Sequence, residues 1–219
     1  NSCGDGNILV AVVQRYIDDC VANGLSRTKI KNGLARDIYG VEIDPEQFQK
    51  CIENLNKVLE KNNIKRVQWK IYNDDYLRWK NVIKFQFIVG NPPYITYKEL
   101  AKDEQKYVKT NFNTCIKGKF DYCYAFIEKS IKELAQDGKM AYLIPSSIFK
   151  TVFGLNLRNF IKPYITVIKD YTQEKVFDNA LVKSSIMVLD KQRQQGVLHY
   201  RDMTLEKEID VPVNQLTDK

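Results

Sequence analysis

Asn91-Pro92-Pro93-Tyr94 has residue types and spacing suited to chemistry. It directly follows an apolar run, Phe85-Gln86-Phe87-Ile88-Val89-Gly90, that reads as a buried strand. Two prolines fix the backbone. They hold the Asn91 side-chain carbonyl and the Pro92 main-chain carbonyl in one orientation, with the Tyr94 ring beside them. Two acceptors so placed bind both N–H bonds of a planar amine, and the ring stacks on its face.

Three further segments, each at the end of a strand or a turn, carry groups that could hold a ligand. Gly4-Asp5-Gly6 leads into a helix, whose electropositive N-terminus and close backbone approach suit a polar or anionic group. Leu9 stands where the dinucleotide fingerprint G-x-G-x-x-G/A needs Gly or Ala, which counts against a nicotinamide enzyme. Glu42 ends Tyr39-Gly40-Val41-Glu42-Ile43-Asp44. A carboxylate closing an apolar strand is costly unless paired, and it can accept from two ribose hydroxyls. Asn73-Asp74-Asp75-Tyr76 is either a polar loop with Asx turns or an acceptor and ring for a heterocycle.

These segments need a scaffold that brings strand ends together. Helical spacing predicts helices over residues 7–23, with Asn7 as N-cap and Ile8, Val12, Tyr16 and Cys20 at i, i+4 spacing, and over residues 26–36. Asp44 and Pro45 start a third, which turns Phe48, Ile52, Leu55 and Leu59 inward. The lysine-rich residues 97–110 form a helix or an ordered loop. Residues 121–135 form an amphipathic helix ended by Asp137-Gly138, and residues 155–161 a last one. Strands are expected over 38–43, 67–72, 85–89, 140–144, 165–171, 184–190 and 197–201. The stretch from Met203 carries little pattern. Strands alternate with helices until about residue 170 and then follow one another. That is an α/β fold with a mostly parallel, Rossmann-like sheet, helices on both faces, and an antiparallel strand near the C-terminus finishing an edge. Ligands in such sheets lie at the carboxyl ends of the strands.

Composition narrows the function further. Of 219 residues 44% are hydrophobic and 28% charged, which excludes a disordered chain. No apolar run reaches the ~20 residues of a membrane span. Five dispersed cysteines without a C-x-x-C pair predict a reduced intracellular protein with neither disulfides nor a zinc site. His199, the single histidine, leaves little room for imidazole chemistry. The net charge of +7 is compatible with a polyanionic partner.

With these motifs in this order, the sequence resembles the gamma-class N6-adenine DNA methyltransferases of restriction–modification systems, the TaqI-like group that uses S-adenosyl-L-methionine. The resemblance covers most of residues 1–191. Asn91-Pro92-Pro93-Tyr94 matches the family's catalytic motif, Ser2 to Asn7 its cofactor loop, Val41-Glu42-Ile43-Asp44 its ribose-binding acidic end, and Asp74-Asp75-Tyr76 the segment that holds the cofactor's adenine. Gly118-Lys119-Phe120-Asp121, followed by Tyr124-Ala125-Phe126, resembles the motif after the catalytic loop, and Met140 to Pro145 the strand after that. Lys175-Val176-Phe177 resembles the late segment whose aromatic contacts the flipped base.

The resemblance implies catalysis by Asn91, Pro92 and Tyr94, with Tyr94 and Phe177 stacking on the target base. It implies cofactor contacts from Cys3, Gly4, Gly6, Glu42, Ile43, Asp75, Tyr76, Asn91 and Phe126, and no metal. Its partners would be double-stranded DNA with a flipped adenine and a cognate or fused nuclease, in the cytoplasm. Transfer would be an in-line displacement of the methyl by N6, and Lys98, Lys102, Lys106, Lys109, Lys117 and Lys119 would supply phosphate contacts, at least half of them being solvated instead. The related N-methylation of RNA or protein glutamine, and a degenerate DNA-binding module, are the alternatives. The chain opens without a strand ahead of its glycine turn, and 28 residues follow Lys191. The expectation is a catalytic domain at 1–191 that lacks its N-terminal part, then an extension at 192–219 leading to an absent target-recognition domain.

Overall fold

A computed structural model describes residues 1–172, 183–192 and 196–216. These form two compact units, Asn1–Lys80 and Asn81–Lys219.

In the first unit, helix α1 (Asn7–Ala22) buries Leu9, Val13 and Ile17. Ile8, on the expected stripe, is exposed instead, so the buried face is rotated by one residue. The N-cap is Gly6 and not Asn7. The turn into the helix needs a left-handed residue, Gly6 takes φ 88°, and Asn7 becomes the first helical position. Helix α2 (Arg27–Asp37) is capped by Ser26, whose hydroxyl accepts from Lys29 N at 3.4 Å. Strand β1 (Tyr39–Glu42) precedes helix α3 (Pro45–Lys61). There Asp44 Oδ1 accepts from Glu46 N and Gln47 N at 2.8 and 3.0 Å, as its sequence position predicts. Strand β2 (Lys70–Asn73) pairs in parallel with β1, Glu42 opposite Asn73. Leu55, Leu59, Ile30 and Leu34 complete the buried cluster, with Phe48 and Ile52 partly buried against it.

The second unit is a six-stranded mixed sheet. Its strands are β3 (Phe85–Gly90), β4 (Leu134–Pro145), β5 (Ile165–Asp170), β6 (Ser184–Asp190), β7 (Val197–Asp202) and β8 (Lys207–Pro212). Their order is β3-β4-β6-β5-β7-β8. β3 and β4 are parallel, as are β5 and β7, while β6 runs antiparallel to both β4 and β5. Two strands thus run against the others, β6 inside the sheet and β8 at its edge, so the expected antiparallel edge is present and a second antiparallel strand lies in the interior. The edge beside β7 is β8, from the stretch after Met203. It is almost wholly exposed, and its polar–apolar alternation, Glu208 to Val211, is too short to signal a strand.

Helix α4 (Lys102–Asn111) covers part of the lysine-rich stretch. Helix α5 (Cys123–Glu133) ends two residues short of expectation, and Leu134 is already the first residue of β4. α5 is buried nearly all round and not amphipathic. Its wholly buried Glu128 is charge-compensated, accepting from Thr114 N at 2.8 Å and from Lys132 Nζ at 2.5 Å. Between Leu134 and Lys139 the β4 register shifts against β3: Phe85 faces Leu134, and Phe87 faces Lys139. The Asp137-Gly138 signal therefore marks a bulge within the strand. Helix α6 (Leu155–Ile161) matches expectation.

Asp170 closes β5 and ties four strands together. Its Oδ1 accepts from the hydroxyls of Ser146, just after β4, and of Ser185 on β6, at 3.3 and 3.2 Å, and from Thr172. Its Oδ2 accepts from Tyr200 of β7 at 2.9 Å. Burial alone would raise its pKa, but these donors outweigh it and hold the pKa below the usual carboxylate value. A depressed folded-state pKa contributes stability above the unfolded value of about 3.9 and loses it as pH falls through the folded value. Asp170→Asn should therefore cost about 1–3 kcal/mol at neutral pH. The difference in urea midpoint between variant and parent should shrink below about pH 4; a gap unchanged down to acid pH would contradict this.

Candidate active site

In the first unit the glycine turn is fastened to the end of β1 by one carboxylate. Glu42, 7% exposed, accepts from Gly4 N at 2.7 Å through Oε2 and from Asp44 N at 3.0 Å through Oε1. Cys3 N donates to Val41 O at 3.1 Å, and Asn54 Nδ2 to Asp5 O at 3.0 Å. Two charge-assisted bonds compensate the burial of the carboxylate and leave further lone-pair directions free for a ligand's hydroxyls. At Gly4 a side chain would meet nothing within 4 Å, so the turn opens onto free space. At Gly6 a Cβ would lie 2.8 Å from Cys51 Sγ, so only glycine fits. Ser2 Oγ is buried and has no partner among the described residues. The Cys3 and Cys51 thiols hydrogen-bond each other, which lowers the pKa of Cys3 and raises that of Cys51. All five cysteines are free thiols.

Beyond Glu42 the Ile43 side chain is exposed. Asp74 N donates to Glu42 O, and Asn73 Nδ2 to the carbonyls of Glu42 and Ile43, so β2 brings the Asp74-Asp75-Tyr76 segment beside the acidic end. The Asp75 carboxylate accepts from Leu77 N at 2.9 Å and pairs with Arg78, fixing its direction. Tyr76 is buried.

In the second unit β3 ends at Gly90, and the proline corner follows. Pro92 is buried. Asn91 Oδ1 is buried and has no hydrogen-bond partner among the described residues, while the Tyr94 hydroxyl, also buried, lies beside the Ser184 side chain. Burial raises the Tyr94 pKa, which keeps the phenol protonated. The chain leaving this corner is clamped. Tyr122 N donates to Ile95 O at 2.9 Å and Tyr97 N to Phe120 O at 3.1 Å, with Thr96 facing Asp121 in an antiparallel bridge. Tyr97 and Phe120 meet edge to face at 5.1 Å. Lys109 Nζ lies 4.5 Å over the Tyr97 ring and donates to its hydroxyl at 3.0 Å. Glu99 Oε2 accepts from Thr96 N and Oγ1 at 2.8 and 2.7 Å. Thr96 and Glu99 stand at the T-x-x-E spacing of a capping box, a signal that could have revealed this turn in the sequence.

The structure thus groups Cys3, Gly4, Gly6, Glu42, Ile43, Asp75 and Tyr76 in the first unit, and Asn91, Pro92, Tyr94 and Phe126 in the second. Phe126 is buried on α5, edge to face with Tyr122 at 5.4 Å. Phe177 lies outside the described residues. His199 Nδ1 meets Asp210 Oδ1 at 2.7 Å across β7 and β8. Of the six lysines, Lys109 is held by Tyr97, while Lys98, Lys102, Lys106, Lys117 and Lys119 are exposed.

Known proteins share both the sequence and the fold. Type II methyltransferase M.BstVI of Geobacillus stearothermophilus is 32% identical over 192 residues, covering 81% of this chain and 34% of that protein. Across the first curated relatives, the chain spans about a third to a half of their length. Among solved structures, a class I S-adenosylmethionine-dependent methyltransferase from Listeria monocytogenes superposes with TM-score 0.62 at 21% identity, covering 87% of this chain and 51% of that one. The DrdV–DNA complex superposes with TM-score 0.71 at 13% identity, covering 91% and 23%. Both likenesses are of fold. Residues 26–177 match the family of the Eco57I restriction-modification methylase, and that is the family to which this chain belongs.

Proposed function

We propose that the chain is the catalytic part of a DNA methyltransferase that methylates the N6 amino group of adenine in double-stranded DNA, with S-adenosyl-L-methionine as donor. The observation that carries this reading is the buried, unpartnered Oδ1 of Asn91 at the proline corner. A buried acceptor left unsatisfied costs about 1–3 kcal/mol, so its retention calls for a ligand donor. An exocyclic amine is the donor its setting suits.

Adenine N6 is a weak nucleophile because its lone pair is delocalised into the ring. Asn91 Oδ1 and the Pro92 carbonyl accept its two hydrogens, which favours a pyramidal nitrogen and localises the lone pair. This is catalysis by positioning and electrostatics. The Tyr94 ring stacks on the extruded base, and the resemblance assigns Phe177 the opposite face; such stacking is worth about 1–3 kcal/mol per base and offsets part of the cost of flipping.

The cofactor residues fit their group. The open face at Gly4, the spare acceptor directions of Glu42 and the orphan Ser2 hydroxyl suit an amino acid joined to a ribose. The donor, when bound, supplies an electrophilic methyl on a sulfonium. Glu42 would bind the ribose hydroxyls, Asp75 and Tyr76 would hold the adenine, and Cys3, Gly4, Gly6 and Ile43 would complete the walls that the first unit supplies; Phe126 is assigned to the cofactor by the resemblance alone. A cognate or fused nuclease is the partner that the restriction–modification family suggests, with the cytoplasm as the place of action.

In the full-length protein Asn91→Ala should lower methyl incorporation into unmodified DNA by about 10²–10³-fold, the scale of losing one preorganised polar group. Cofactor affinity should stay largely intact; near-normal turnover would refute the role of Asn91. Glu42→Ala should weaken S-adenosylmethionine binding about tenfold or more in calorimetry, and an unchanged dissociation constant would remove Glu42 from the site. Parallel assays offering DNA, RNA and protein should show transfer to DNA, and transfer to RNA or protein alone would overturn the substrate assignment.

A further inference from the structure

An apolar tip stands out on the second unit. Val152 is 82% exposed, Phe153 45% and Ile116 51%. Single exposed apolar side chains are ordinary, but a cluster of them marks a contact surface. The Phe153 ring lies directly over Gly118, where an added Cβ would fall 2.2 Å from Phe153 Cδ1. Gly118, at φ 78°, is a close approach that no other residue allows. The ring therefore joins segment 150–154 to segment 116–119, where Ile116 stands.

The tip is held stiffly. Arg158 Nη1 donates to Ile148 O and Thr151 O at 3.1 and 2.7 Å, capping the two 3-10 turns Ser146–Phe149 and Val152–Gly154. The amides of Lys150 and Thr151 both donate to Ser147 O at 3.0 Å. An exposed aromatic on a rigid turn loses little entropy on binding.

Within the two segments the charge is of one sign. Segments 116–119 and 150–154 contain Lys117, Lys119 and Lys150, all exposed, and no acidic residue. Phe120, next after Lys119, is the residue whose carbonyl and ring clamp Tyr97 in the candidate catalytic loop. The same short connection thus supports the proline corner and the tip.

Resting on the DNA-methyltransferase reading, we propose that Val152, Phe153 and Ile116 form an apolar wedge that presses on the bases or sugars beside the target nucleotide, while Lys117, Lys119 and Lys150 meet the flanking phosphates. Duplex DNA alternates anionic phosphates with flat apolar faces on this scale. A protein interface needs about 800 Å² per partner, which three side chains do not supply. Apolar side chains pushed against base steps help open a duplex, and flipping a base requires such opening.

The test uses the full-length protein, a mixed-sequence DNA duplex, and unmodified genomic DNA as methyl acceptor. Val152→Ser with Phe153→Ser should weaken duplex binding and methyl incorporation about tenfold, with unchanged cofactor affinity and an unchanged slope of log affinity against log salt. Lys117→Gln and Lys119→Gln should each flatten that slope by about one. Val152→Ser alone alters a side chain with almost no packing to lose, so a smaller loss in the same direction there separates contact from misfolding. Variants within about twofold of the parent in DNA binding and turnover, or variants that lose only a protein partner, would overturn the wedge. A parent protein that neither binds nor methylates DNA would instead overturn the substrate reading beneath it.

Discussion

A carbonyl oxygen that is buried and unpaired works against folding, and the candidate site is organised around one. Asn91 Oδ1 is kept from water and from every donor among the described residues. Such an arrangement persists only where the surroundings leave the side chain nowhere better to turn. The prolines beside it stiffen the backbone. The chain beyond is fixed by the Ile95–Tyr122 and Tyr97–Phe120 hydrogen bonds and by the ring pair. Lys109 seals the outer face of Tyr97. Rigidity here preserves an unmet acceptor in readiness for a donor from elsewhere.

The first unit solves the opposite problem, a buried charge with ample satisfaction. Glu42 takes one N–H from the glycine turn and one from the start of α3, so a single carboxylate fixes the relation of three backbone segments. Its burial is tolerable because both bonds are charge-assisted. The same bonds aim the remaining lone pairs, and the glycine turn takes its shape from Glu42 as much as from its own φ angles.

The proline corner, the acidic end of β1, the Asp44–Pro45 helix start and most elements were legible because each rests on local chemistry: apolar runs, fixed φ, a cap beside its helix. What escaped the sequence depended on partners distant in the chain. The phase of α1 turned on which face met α3, and Ile8 and Leu9 are equally apolar. The interior place of β6 follows from strand pairing, to which sequence order is blind. Helix α5 read as amphipathic because it carries glutamates and lysines, yet Glu128 is buried beside Lys132. β8 alternates only over Glu208-Ile209-Asp210-Val211, too short a run to stand out, and it covers an edge with mostly exposed residues. At the site, the residue types of the proline corner were readable, whereas its clamp, built by Phe120, Tyr122 and Lys109, joins residues a dozen or more positions away.

Helix α5 passes into β4 with no connecting loop, and the strand then bulges between Leu134 and Lys139 before settling into register. Gln136 and Asp137 are exposed within that bulge. A residue gained or lost at a direct helix–strand joint would turn the helix by about 100° and swap the faces of the strand. The bulge works as an expansion joint: changes in chain length at Gln136–Asp137 can be absorbed there, while Met140, Tyr142 and Ile144 keep facing the interior. Evolutionary insertions and engineered tags alike would find their safest entry to this part of the molecule at that point.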